Sequence, residues 1–246
     1  MIAGLIVGKH KSLGCPGKHV RPLLGRPLVE YPFLAASNSH RIEEIFVSTD
    51  SPDIQKIGER YGAQFIERPP ELATPDSILE DTLVHAYEAM SKMSNEPIDI
   101  VALIFGNAPM VLASKIDEGV DLLKIKPDYD SVFSVAKFNM FSPARAHKVD
   151  DSGEIHNFVD LGQLGPVTSI RDSQGDCHFC DLQIQIMRDT CFKNMDEGNL
   201  PYKWMGKRTY ALKEGFGFDI DYGWQFAVAE YWLRKNGFTE SNTPYS

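Results

Sequence analysis

Residues 2–19 read IAGLIVGKHKSLGCPGKH, an apolar run that stops at Gly8 and gives way to a loop dense in glycine and basic side chains. A short continuous apolar run bounded by glycine fits a strand of a parallel sheet covered on both faces. The pattern then repeats outward. PLVEYPFLAAS (27–37) reads as a helix and IEEIFVSTD (42–50) as a strand ending on polar residues. PDIQKIGERYG (52–62) reads as a helix with Ile54, Ile57 and Tyr61 at helical spacing and Gly62 as its stop. A short strand in AQFIERP (63–69) precedes a helix in SILEDTLVHAYEAM (77–90), whose Leu79, Leu83, Ala86 and Met90 share a face. DIVALIFGNAP (99–109) is the strongest strand, ASKIDEGVDLL (113–123) a helix, and DSVFSVAK (130–137) a further strand. Alternating strands and helices of this length specify an α/β fold, a mostly parallel sheet with helices on both faces.

At 246 residues and 43% hydrophobic, the chain is expected to form one domain around one core. The polar, turn-rich stretch from about 138 to 180 reads as hairpins or an arm rather than another βαβ unit. LQIQIM (182–187) and GFGFDID (215–221) read as returning strands. YGWQFAVAEYWLRKNG (222–237) reads as a closing amphipathic helix with Trp224, Val228 and Tyr231 inward and Gly237 as its stop. No apolar run approaches the roughly 20 residues needed to span a bilayer, and no basic leader precedes the first strand, so the expected location is cytoplasmic.

A formal net charge of −9 argues against a nucleic-acid partner, which requires a basic surface. A local basic loop in an acidic chain suits a small polyanion instead. The four cysteines, Cys15, Cys177, Cys180 and Cys191, are too few for a disulfide framework. CHFC (177–180) supplies only half of a structural zinc set, without a second CxxC or HxxxH.

In sheets of this class, ligands collect at the carboxyl ends of the strands, where GKHKSLGCPGKH, STDS and FGNAP should meet. The first loop is neither a Walker A sequence nor a dinucleotide fingerprint, since GxxxxGK[ST] and GxGxxG are both absent. It does place Lys9, Lys11 and Lys18 beside glycine-rich backbone that can donate to anionic oxygens; a solvated basic turn is the alternative reading. Near the other end, Asp219 and Asp221 stand two apart on the expected strand, so both carboxylates share one side. Such a pair suits Mg²⁺, which takes one or two carboxylates plus phosphate oxygens. Exposed strand-end aspartates are the alternative. Together, loop and pair form the two halves of a Mg-nucleotide site.

The order of GKHKSLGCPGKHVRPLLGRPLVEYP (8–32), VSTDSPDI (47–54), YGAQFIERPPELA (61–73) and FDIDYGWQFAVAE (218–230) resembles the cytidylyltransferases that activate acidic sugars, the CMP-sialic acid synthetases and their CMP-Kdo relatives. The resemblance covers about the first 120 and the last 40 residues. It implies a Rossmann-like fold and a homodimer joined through the arm. It also implies transfer of CMP from CTP to an acidic acceptor with release of pyrophosphate. By position it makes Lys18 the lysine on the nucleotide phosphates, with Gly8, Lys9, Ser12, Gly14 and His19 in the same nucleotide-binding loop. It makes Arg68 the arginine of the RPxxLA stretch, and Asp219 and Asp221 the metal ligands. Asn107 falls where the Kdo enzymes carry a metal-binding aspartate.

Several positions depart from that pattern. Lys9 stands for the usual arginine, keeping the charge but losing the bidentate fork. Leu13 replaces a second basic residue, and His19 replaces an asparagine. FGNAPMV (105–111) stands where sialic-acid enzymes carry a QPTSPLR-like stretch, and GDCHFCDLQ (175–183) lacks a basic residue. The expectation is retained nucleotide handling with a rebuilt acceptor pocket. That pocket leaves open a 2-keto-3-deoxy sugar acid or a smaller acid such as a phosphonate, and a catalytically silent nucleotide-binding relative is the further alternative. His85, Trp204, Trp224 and Trp232 read as packing residues and Cys15 as a small loop residue. Arg145 and Arg171, in the arm, either reach a neighbouring subunit or are solvated.

Overall fold

The computed structural model describes residues 1–10, 14–74, 76–170 and 172–245. The strands are β1 (Ile2–Val7), β2 (Pro22–Leu23), β3 (Arg26–Pro27), β4 (Glu44–Thr49), β5 (Gln64–Glu67) and β6 (Ile100–Phe105), followed by β7 (Ser131–Lys137), β8 (His147–Val149), β9 (Ile155–Asn157), β10 (His178–Arg188) and β11 (Thr209–Gly215). The helices are α1 (Glu30–Ser37), α2 (Pro52–Arg60), α3 (Leu79–Met93), α4 (Ala113–Ile125), α5 (Asp189–Lys193) and α6 (Gln225–Lys235). Seven strands form the central sheet in the order β11-β7-β10-β6-β1-β4-β5. All pair in parallel except β10, which runs antiparallel to both β6 and β7.

Strand alternation explains why β1 and β6 contain no polar residue. Ile2 and Ile6, with Ile100, Ala102 and Ile104, face a layer built by Phe33 of α1, Ile54 of α2 and Ile116 and Val120 of α4. Their neighbours Ala3, Leu5, Val7, Val101, Leu103 and Phe105 face the opposite layer, with Leu83 and Met90 of α3 and Phe192 of α5. Truncating a fully buried residue such as Leu5 in such a sandwich typically costs about 2–5 kcal/mol. Helix α2 starts as its sequence indicates, with Ser51 accepting from the Ile54 amide and Pro52 in the first turn, and Gly62 follows its end at φ 73°.

Because β4 and β5 extend from one side of β1 while β6 lies on the other, the chain reverses direction across the sheet between β1 and β6. The carboxyl ends of strands at such a switch point diverge into a crevice. The stretch from about 138 to 180 contains an exposed hairpin of β8 and β9.

Two expectations need correction. The sheet strand near the C-terminus ends at Gly215, so Asp219 and Asp221 lie beyond it in an irregular segment rather than on a strand. Helix α6 turns Gln225, Phe226, Ala229 and Leu233 inward, while Trp224 and Tyr231 are 65% and 68% exposed. Trp204 does pack in the core, donating its indole N–H to Gln185 Oε1 at 2.8 Å.

Candidate active site

The crevice at the switch point is a cleft of about 230 Å³. Gly8 and Lys9 reach it from the end of β1, Lys18 and His19 from the following turn, Arg68 from the end of β5 and Asn107 from the end of β6. Thr82, Leu79, Ser77 and Leu72 close the side nearest α3. Six sequence-expected site residues therefore share one lining. Ser12, with Lys11 and Leu13, lies outside the described residues, as does Arg171; Arg145 is exposed on the arm.

Lys18 joins the two halves of the site. Its side chain is 7% exposed, and its Nζ donates to the Ile220 carbonyl at 2.7 Å and to Asp221 Oδ1 at 2.6 Å, a partner 203 residues away in the chain. Asn107 Nδ2 adds bonds to Asp219 Oδ2 at 3.1 Å and to the Ile220 carbonyl at 3.1 Å, with Asp221 Oδ1 at 3.5 Å. The Ile220 amide donates back to the Asn107 carbonyl at 2.8 Å. Gly14 makes the close approach possible, because a Cβ there would lie 2.8 Å from the Asp221 carbonyl oxygen. Both carboxylates thus face the basic turn although they occupy no strand.

Burial and, secondarily, the charge of Asp221 push the Asp219 carboxyl above its usual range. A like-charge conflict between two adjacent oxygen donors is relieved by a hard cation, so the pair fits Mg²⁺ or a similar ion. Asn107 is satisfied as a donor to the two aspartates and therefore orients them rather than serving as a third charged ligand.

On the cleft's other side, polar groups stand buried without partners. Arg68 donates from Nη2 to the Ser48 carbonyl at 2.8 Å, but among the described residues its buried Nε has no hydrogen-bond partner, nor does the buried Ser48 hydroxyl. Burial lowers the Arg68 guanidinium from its usual range, and it stays cationic. His19, 7% exposed, packs its ring against Gly8 and Gly106, where an added Cβ would come within 3.4 and 3.1 Å. Neither of its ring nitrogens is bonded among the described residues. Burial, then the charges of Lys18 and Arg68, hold its pKa down at about 3. Unpaired cationic and neutral donors in a cleft are costly unless a ligand completes them.

Between the ordinary His19 pKa of 6.5 and about 3, the unfolded chain binds a proton that the folded chain refuses. Stability is therefore lost as pH falls through that window, by at most about 1.4 kcal/mol per pH unit. Melting temperatures measured between pH 6.5 and 4.5 should fall more steeply for the native chain than for His19→Asn; parallel curves would contradict the assignment.

Three features escaped the sequence. A register shift in β10 between Cys180 and Gln185, with Leu182 at φ 59°, turns Asp181 and Gln183 into the interior. Asp181 accepts from the Ser134 hydroxyl and the Gln183 amide, while Gln183 Oε1 accepts from the Met110 amide at 2.9 Å. Gly217 packs directly on this cluster, where a Cβ would lie 2.7 Å from Asp181 Oδ2. Gly217→Ala should therefore displace the segment carrying both aspartates. A drop in turnover of about tenfold is expected for such a shift, and native kinetics in that variant would show that the segment accommodates the methyl. Gln225, the third feature, could have been found from its place at a helix start, where glutamine side chains reach back to preceding amides. Burial raises both CHFC thiols, Cys177 and Cys180, and among the described residues neither joins a group of three or more His, Cys, Asp or Glu close enough to hold a metal ion.

Residues 3–187 match the family model for cytidylyltransferases. The chain belongs to the cytidylyltransferase family. It is 28% identical over 244 residues, 99% of its own length, to N-acylneuraminate cytidylyltransferase A of Danio rerio, covering 53% of that protein. It is 30% identical over 160 residues to N-acylneuraminate cytidylyltransferase of Escherichia coli O18:K1:H7, covering 65% of this chain and 36% of the relative. The chain thus spans about half the length, or less, of these curated relatives. A solved structure described as CMP:2-keto-3-deoxy-manno-octonic acid synthetase complexed with CTP superposes with a TM-score of 0.65, covering 95% of this chain and 98% of that one at 16% identity. The shared fold is the mostly parallel sheet with flanking helices that the alternation of β1 to β7 indicates. Among the described residues, no helix is long and apolar enough to cross a membrane.

Proposed function

We propose that this chain is a CTP-dependent nucleotidyltransferase that moves CMP from CTP to an acidic acceptor of the 2-keto-3-deoxy sugar-acid type and releases pyrophosphate. The observation carrying this reading is the contact of Lys18, a lining residue of the cleft, with Asp221, in a cleft where Arg68 Nε is buried without a partner among the described residues. The acidic sugars named in its relatives support the acceptor class.

An acceptor hydroxyl oxygen attacks the α-phosphorus in line and gives up its proton to solvent, a bond forms from that oxygen to phosphorus, and the bond to the bridging oxygen of pyrophosphate breaks. Lys18, with Lys9 and Ser12 from the same loop, neutralises the phosphate oxygens as negative charge moves onto the leaving group. Arg68 and His19 bind and orient the nucleotide, His19 as a neutral group. Asp219 and Asp221 would hold Mg²⁺, which when bound supplies charge neutralisation at phosphate and acceptor oxygens. Asn107 fixes the direction of both carboxylates. The exposed apolar residues of the excursion, Met140, Phe141, Val149, Ile155 and Phe158, support a homodimer formed through it.

Pyrophosphate release from CTP and Mg²⁺ over a panel of sugar acids, phosphonates and an acid-free blank tests the reading. Release only with a 2-keto-3-deoxy sugar acid, together with a CMP adduct by mass, is expected. Nucleotide binding without release for any acid would mark a silent relative instead.

A further inference from the structure

We propose that Gln225 is a positioning residue that fixes Asp221 in its cleft-facing orientation, and that its being an amide limits the site's fixed negative charge to two carboxylates. This inference rests on the reading of Asp219 and Asp221 as the cation-binding pair. Gln225 is the first residue of α6 and only 9% exposed. Its Oε1 accepts from two consecutive amides, Asp221 N at 2.6 Å and Tyr222 N at 2.7 Å, while its backbone N–H donates to the Tyr222 carbonyl at 3.1 Å. The turn it closes has little else to hold it, because Tyr222 and Trp224 are 59% and 65% exposed.

Asp221 is thereby held through its amide and through Oδ1. Gln225 fixes its amide, Gly14 lies against its carbonyl, and Lys18 and Asn107 engage Oδ1. Oδ2 accepts no bond among the described residues and remains available on a side chain that is 53% exposed. Rotating the backbone at Asp221 would redirect its carboxylate, so the Gln225 bonds act on the cation site through Asp221. A glutamate at 225 would accept the same two bonds, but it would add a third negative charge to the segment that carries Asp219 and Asp221. The two substitutions therefore separate orientation from charge.

The test measures Mn²⁺ affinity in the presence of CTP by electron paramagnetic resonance, steady-state kinetics over a Mg²⁺ series, and melting temperature for Gln225→Met and Gln225→Glu. For Gln225→Met, metal affinity and kcat are expected to fall about 10- to 100-fold, the usual loss when the partner orienting a ligand is removed, with KM for CTP little changed. Gln225→Glu should restore kcat at saturating Mg²⁺ and bind Mn²⁺ more tightly than the native chain. Native metal affinity in Gln225→Met overturns the proposal, as does a lowered melting temperature with metal affinity and kcat intact, which would mark a purely structural cap. If Gln225→Met does not fold, Gln225→Glu decides: tighter Mn²⁺ binding supports the charge role, and unchanged binding overturns it. If the native chain transfers no CMP, the functional reading fails while the Mn²⁺ measurement still reports on Gln225.

Discussion

Asp221→Ala is expected to lower CMP transfer by about 10³-fold at saturating CTP and Mg²⁺, measured as pyrophosphate release. The size follows from two losses at one carboxylate. On the proposed reading the site loses one of the two charges that would hold a cation against the phosphates, where preorganised electrostatic groups contribute the largest share of rate enhancement. Lys18 also loses the partner at 2.6 Å that aims its ammonium, keeping only the Ile220 carbonyl. Asp221→Asn separates these effects, since its amide oxygen can still accept from Lys18 but carries no charge. A loss of at least about 10²-fold in that variant would place the weight on charge. Stability should fall in Asp221→Ala, because the ammonium of Lys18, 7% exposed, then keeps only the Ile220 carbonyl among the described residues, and fall less in Asp221→Asn, which retains an acceptor. Near-native turnover in Asp221→Ala would remove the aspartate pair from the mechanism.

Lys18→Met is expected to cost about 10²- to 10³-fold in kcat/KM, with a weakened affinity for CTP that Asp221→Asn does not share. Methionine fills the same buried channel, so packing is kept while the charge is lost. Lys18→Arg should not rescue. A planar guanidinium needs a wider slot than a side chain 7% exposed and bounded by the Ile220 carbonyl can offer. Titration of CTP by calorimetry, paired with pyrophosphate assays, separates binding from turnover. Native affinity and native rate together in Lys18→Met would contradict its phosphate role.

How far the chain could be read in advance depended on which physics each segment displays. The runs of β1 and β6 declare buried parallel strands because no polar residue interrupts either one. The antiparallel course of β10 was not legible, since apolar alternation such as LQIQIM is identical in either direction. Helix α6 was assigned the wrong face because its large aromatics looked like core. Helix geometry instead buries small Ala229 and the capping Gln225, leaving Trp224 and Tyr231 outside. The site was legible in pieces. Lys18, Arg68, Asn107, Asp219 and Asp221 could be placed through the resemblance, but nothing local in the sequence says that residues 203 apart touch. The pleat that seemed to align the two aspartates is absent; Asn107, Lys18 and Gln225 align them instead, through side-chain bonds with no sequence periodicity. Asp181 was hidden for a similar reason, since only the bulge in β10 turns it inward.

The central claim is that the basic turn after β1 and the acidic segment after β11 enclose one metal-bound triphosphate. A crystal structure with a non-hydrolysable CTP analogue and Mn²⁺, read by the manganese anomalous signal, tests it most directly. The account predicts one manganese peak in contact with Asp219, Asp221 and a phosphate oxygen, with Lys18 and Arg68 donating to the nucleotide. A triphosphate bound elsewhere, with Lys18 still closed on Asp221, would contradict it.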